Sequence, residues 1–207
     1  MKMYYIFILP SLFLCSCLYG IEKKQSGPVK TSTETIITKD DKLFYYPEFK
    51  NAHPKAKELM NEDFFFSSID ETAPFGNDDG ADTYLDFVEW RSQNKIENPN
   101  SFLKHHLNYW GYPSFDLAIT NYDSLEFFVK KSSMHSRYLV GTNQSIISIG
   151  FGQLYLEGEI DKNFLEITIN AVERELDGKM LLTWPKLYIE ERKQKRIKMK
   201  KLLNNLG

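Results

Sequence analysis

The sequence predicts a mainly α domain, a single compact multi-helix unit, on three observations. Apolar residues recur every three or four positions around residues 82–93 and 161–177, the spacing that places them on one helix face. Asn, Asp, Ser and Gly stand where such stretches begin and end, as caps and stops. Only Ile147, Ile149 and Phe151 alternate as a strand would, and α+β is the alternative they leave open.

Taken in order, His53-Pro54 opens a short helix through Met60, because proline is tolerated in a first turn. The stretch FFFSSID, residues 64–70, reads as a short strand or an extended core segment. Residues 82–93 form a second helix, with Tyr84, Leu85, Phe87, Val88 and Arg91 on a broad stripe. Asn100 or Ser101 caps a third, which carries Phe102, Leu103, His106, Leu107 and Trp110 and stops at Gly111. The stretch SIISIGFGQLYLEG, residues 145–158, alternates at first yet has the length and flanks of a buried helix. With Thr142 or Asn143 as its cap, helix is the better reading. Asp161 caps the next, in which Leu165, Ile169, Val172 and Leu176 recur before Asp177-Gly178 ends it. The last helix spans residues 186–204.

Ahead of this domain the chain has a different character. Lys2 precedes an apolar run over residues 4–14, broken only by Pro10 and Ser11. The run is shorter than the roughly 20 residues that span a bilayer and has the form of a secretory signal. The four residues where it ends, Leu14, Cys15, Ser16 and Cys17, resemble the bacterial lipobox. That resemblance implies cleavage before Cys17 and acylation of its thiol and new amino terminus, by palmitate or similar chains. Each buried CH₂ contributes about 0.8 kcal/mol, so several chains make a stable membrane anchor. The expected organisation is a lipoprotein signal peptide over 1–16, a lipidated N-terminus and flexible tether over 17–42, and a globular domain over 43–207. The expected location is the bacterial cell envelope: the outer membrane of a Gram-negative cell, otherwise the outer face of the cell membrane.

Both cysteines of the chain fall in this segment. With Cys15 removed and Cys17 acylated no free thiol remains, which excludes disulfides, cysteine zinc sites and a cysteine nucleophile. Charge is unevenly spread. Residues 58–97 hold eleven acidic residues against Arg91 and Lys95, and residues 186–207 hold eight Lys or Arg against Glu190 and Glu191. The basic terminal helix interleaves its charges with Ile197, Met199, Leu202, Leu203 and Leu206. Such a helix binds anionic surfaces or nucleic acid. Export argues against nucleic acid, and docking on the chain's own acidic region ranks ahead of a membrane, polymer or protein contact.

The loop APFGNDDGADT, residues 73–83, is the main candidate for chemistry. An EF-hand register with Gly80 at its glycine fails, because Phe75 falls where the first carboxylate belongs and Asp86 replaces the long bidentate Glu. Asn77, Asp78, Asp79 and Asp82 therefore read as a candidate binding or helix-capping loop, with Asp79 or Asp82 as the cap. Calcium binding is the minor alternative. His105 and His106 point about 100° apart on a helix and do not share a metal; His106 falls among core positions. Gly150 and Gly152 begin a dinucleotide fingerprint that Tyr155 breaks. Glu173, Arg174 and Asp177 read as surface charges. No metal site or cofactor is expected.

Residues 53–91, with Pro74-Phe75-Gly76, Asp79-Gly80 and Trp90-Arg91, and residues 150–175 resemble an uncharacterised bacterial group, the YfeS-like family. The resemblance implies no established activity and no catalytic residues, and the signal and tether lie outside its pattern. The expected function is a lipid-anchored, non-catalytic module that binds a protein or polymer, in one form an immunity or inhibitor protein meeting a partner of opposite charge. An envelope hydrolase using acidic residues of 77–86, with Trp90 or Trp110 as a stacking wall, is the alternative.

Overall fold

The computed structural model describes residues 46–207, among which eight α-helices and three short 3-10 turns form the regular structure, without a strand. The helices are α1 (Pro54–Leu59), α2 (Asp78–Gln93), α3 (Pro99–Tyr109), α4 (Glu126–Lys130), α5 (His135–Glu157), α6 (Lys162–Leu176), α7 (Gly178–Leu181) and α8 (Lys186–Asn204). The signal, Cys17, the tether and the domain start at Leu43 lie outside the described residues. No helix among the described residues is long and apolar enough to cross a membrane.

The fold is mainly α, and α5 is its axis. Every residue from Gly141 to Tyr155 is buried, because α1, α2, α3, α4 and α6 pack around it. A helix enclosed on all faces needs no 3.6-residue periodicity, so the strand-like alternation at Ile147, Ile149 and Phe151 carries no structural meaning. Its approach to α6 is close: a Cβ on Gly150 would lie 2.5 Å from Thr168 Oγ1. At its end Gly158 takes the left-handed φ of 76° that stops the helix.

Helix starts lie earlier than the sequence reading placed them. Asn77, not Asp79 or Asp82, caps α2, its Oδ1 accepting from Gly80 N at 2.8 Å. Gly80 is needed inside that first turn because a Cβ there would meet Pro74 O at 2.5 Å. Asn98 caps α3 with Pro99 at the first position, displacing Asn100 and Ser101. Helix α5 begins at His135, so Thr142 and Asn143 are interior residues and not caps. Asp161 does cap α6, accepting from Asn163 N and Phe164 N. The segment Asp63–Phe66 is a 3-10 turn instead of a strand, and it delivers Phe65 to stack on Phe151 with centroids 5.6 Å apart.

Helix α8 docks on α6. Met199, Leu202 and Leu203 enter the core, and Lys195, Lys198 and Lys200 pair with Asp70, Glu62 and Glu173. Its basic face therefore meets acidic groups of the same chain. Arg174 departs from the surface role expected of it: it is 2% exposed, and its Nη1 donates to the Leu117 and Ile119 carbonyls, each at 2.8 Å.

Candidate functional site

The loop before α2 owes its shape to arginines from the far end of the chain. Arg196, wholly buried on α8, donates from Nη1 to Thr72 O at 3.1 Å and from Nη2 to Gln144 Oε1 at 3.0 Å. Gln144 Oε1 also accepts from the Asn77 side chain at 3.0 Å, which ties the α2 cap to the centre of α5. Arg192 reaches Glu71 O at 3.4 Å. Gly76 lets the loop fold on itself, since a Cβ there would lie 2.1 Å from Asp70 O.

Glu175 of α6 is the anion at the centre of this network. It pairs with Arg192 and, at 3.6 Å, with Arg196, and it accepts from Asn143 Nδ2 at 3.1 Å. Arg174 closes the ring by donating from Nε to Asn143 Oδ1 at 2.8 Å. Burial opposes its charge, yet Arg192 and Arg196, with the hydrogen bonds, hold its carboxyl below the usual carboxylate range. The arginines bear the opposite stress. Burial lowers the Arg174 guanidinium to about 10, and burial reinforced by Arg192 lowers that of Arg196 to about 9. Three buried guanidiniums face one buried carboxylate, so carbonyl oxygens of residues 71, 72, 117 and 119 take up part of their donor capacity, while Arg174 Nη2, Arg192 Nε and Arg196 Nε find no partner among the described residues.

Above the network lies an open cleft of about 600 Å³, walled by Trp184, Tyr188, Pro185 and Ile69 and edged by Asp70, Glu71, Glu191 and Lys195. Trp184 is held from beneath by the Arg192 guanidinium, 3.7 Å from its ring centre. Ile69 is 89% exposed, so an apolar side chain stands open at the cleft. One cation, Lys195, serves two carboxylates, Asp70 and Glu191. The rim is left acidic.

The loop residues singled out from the sequence divide between environments. Asn77, Asp78 and Asp79 line an adjoining recess of about 220 Å³ with Glu71, Arg137 and the other side of Trp184. Asp79 is buried there and accepts from Tyr112 Oη at 2.7 Å and Arg137 Nη2 at 3.0 Å. Burial, with that hydrogen bond to Asp79, raises the Tyr112 hydroxyl to about 12. Asp78 is exposed, and Asp82 is exposed one turn further along α2, outside the recess. Among the described residues no three His, Cys, Asp or Glu side chains converge as a metal would require.

A third recess, of about 360 Å³, holds Asp86, Glu89, Trp90, His105, His106 and Tyr109. Asp86 Oδ2 lies 3.4 Å from His106 Nδ1, His106 Nε2 lies 3.0 Å from Thr83 Oγ1, and Thr83 donates to Ser145 Oγ at 2.9 Å. The order acid, imidazole, hydroxyl is that of a nucleophile relay. Both hydroxyls are wholly buried, so no substrate carbonyl reaches them, and burial lowers the His106 imidazole to about 4. The line ties α2, α3 and α5 together.

Reading the sequence missed Trp184, Tyr188, Arg137 and the burial of Arg174, Arg192 and Arg196. A signal for two of them was present: Arg192, Arg196, Met199 and Leu203 follow helical spacing, so the arginines share the apolar stripe. No family model, curated protein or solved structure matches the chain.

Proposed function

We propose that this chain is a lipid-anchored bacterial envelope protein whose globular domain binds a protein or polymer partner without catalysis, through the Trp184 cleft. One observation carries the binding role: the one acid, imidazole and hydroxyl line among the described residues has its Thr83 and Ser145 hydroxyls sealed in the core, whereas the open cleft presents aromatic and aliphatic walls with an acidic rim. A rigid indole and a tyrosine beside exposed Ile69 have the composition of a binding hot spot. The rim favours a partner with positive charge, consistent with immunity or inhibitor behaviour. The anchor is supported by the lipobox-like residues 14–17.

A photoreactive benzoyl-phenylalanine placed at position 188 in the native cell tests both parts. The expected result is one adduct in the membrane fraction, weakened by Glu71→Lys and absent with the same group at position 89. Intact mass of the membrane-purified protein should equal residues 17–207 plus acyl chains, and Cys17→Ala should lose them. Equal adducts at both positions would sink the cleft, and a soluble unacylated chain would sink the anchor.

A further inference from the structure

A cavity of about 620 Å³ lies between α3, α5 and the connection that follows α3, and it shares no lining residue with the Trp184 cleft. Its walls are Leu103 and Leu107 of α3 and Pro113, Phe115 and Leu117 of the connection. Size and lining are those of a small-molecule pocket, where apolar walls supply affinity and a few polar groups supply orientation. The connection is held away from collapse. Arg174 grips the carbonyls of Leu117 and Ile119, each at 2.8 Å, and Tyr112, another lining residue, donates to Asp79 at 2.7 Å. The space is therefore preformed.

Its buried polar group is Thr142 of α5. A threonine inside a helix ordinarily satisfies its hydroxyl on the carbonyl one turn back, as Thr168 of α6 does with Phe164 O at 2.8 Å. Thr142 is 2% exposed, and its Oγ1 has no partner among the described residues. A rotation of about 120° about Cα–Cβ carries Oγ1 into the place of the methyl group and the methyl into that of Hβ, and a hydrogen-bonding atom inside the cavity would hold that rotamer. The rim carries one charge of each sign, Lys104 and Asp116, so it draws neither anion nor cation.

We propose that this cavity binds a small neutral molecule with an apolar body and one hydrogen-bonding group of phenol or alcohol type, paired with Thr142. The test titrates the full chain with 4-propylphenol and propylbenzene, followed by amide NMR shifts. The parent should bind the phenol about fivefold tighter than the hydrocarbon, the ratio that one hydrogen bond supplies. Thr142→Val should bind the two alike and melt no lower than the parent, because it loses no satisfied bond. Thr142→Ser should keep the preference, and Leu107→Trp, which fills the cavity, should bind neither. Absence of saturable binding to the parent, an undiminished preference in Thr142→Val, a lower melting temperature for that variant, or unchanged binding by Leu107→Trp would each overturn the proposal.

Discussion

The inward and outward faces of α8 carry the same sign of charge in opposite surroundings. Inward, Arg192 and Arg196 are nearly or wholly enclosed and share Glu175, which Asn143 links to Arg174. Outward, Lys198 and Lys200 pair with Glu62 and Glu173 while their side chains stay 47% and 38% exposed. The difference follows from the two head groups. A guanidinium is a planar fork of five donors, so one residue can satisfy a carboxylate, an amide oxygen and a backbone carbonyl together. An ammonium is a strongly hydrated point charge, which is stable where water completes its shell. Substituted elsewhere in the chain, the same logic separates positions that fix the fold from positions that decorate it.

Glu175→Gln breaks the comparison most sharply. It keeps the shape and removes the buried carboxylate that Arg192 and Arg196 share, so unfolding free energy should fall by about 3–5 kcal/mol in denaturant melts at neutral pH. Acid should reveal the same residue. Because the folded-state pKa of Glu175 is depressed, its stabilisation is present above the usual carboxylate range and is lost as pH falls through the folded value. The Gln variant should lack that part of the acid limb. Stability of the variant within 1 kcal/mol of the parent, on the order of a surface pair, would show that the arginines are content without the anion.

His106 supplies a buried group that is kept neutral where the α8 arginines are kept charged. Its pKa is lowered from 6.5 to about 4, chiefly by burial. Between those values the unfolded chain takes up a proton that the folded chain refuses, so stability declines as pH falls from 6.5 and levels off below 4. The decline should amount to about 3 kcal/mol. His106→Gln should be less stable at neutral pH, having lost stacking on Phe102, and flatter across that window. An equally steep variant would assign the slope to other groups.

Arg196→Lys comes next, at about 2 kcal/mol, since the ammonium cannot span Thr72 O, Gln144 and Glu175 at once. Its effect should be read in the loop as well: the amides of Thr72 and Gly76 should exchange hydrogen faster than in the parent. Unchanged exchange would mean that Gly76 and the Asn77 cap shape the loop without the arginine.

Much of this was legible in the sequence where local chemistry decides. The α6 cap at Asp161, the stop at Gly158 and the extent of α8 follow from residues adjacent in the chain. The start of α5 did not, because Thr142 and Asn143 look like caps until tertiary packing encloses them. The FFF stretch became a 3-10 turn because Phe65 needed Phe151, which is 86 residues distant, as its partner. The site was least legible. Glu175, Arg196 and Thr72 meet across long separations, and a charged residue within a helical stripe reads as solvated until its partner is known. Spacing alone would have placed Arg192 and Arg196 inside had charge not been taken as a surface mark.

The smallest effect closes the comparison from the outward side. Lys198→Ala with Lys200→Ala removes two ion pairs of α8 that are nearly half exposed, and each pair should contribute no more than about 0.5 kcal/mol. Raising salt to 1 M, where the screening length is about 3 Å, should erase even that difference between the double variant and the parent. The defect of Glu175→Gln should persist in the same salt, because the enclosed charges are not reached by ions. If both variants respond alike, burial does not divide the two faces, and the arginines belong to the same solvated population as the lysines. If they part as expected, the basic C-terminus acts as an internal clamp on the 70–77 loop, and the Trp184 cleft above it is held by the fold itself.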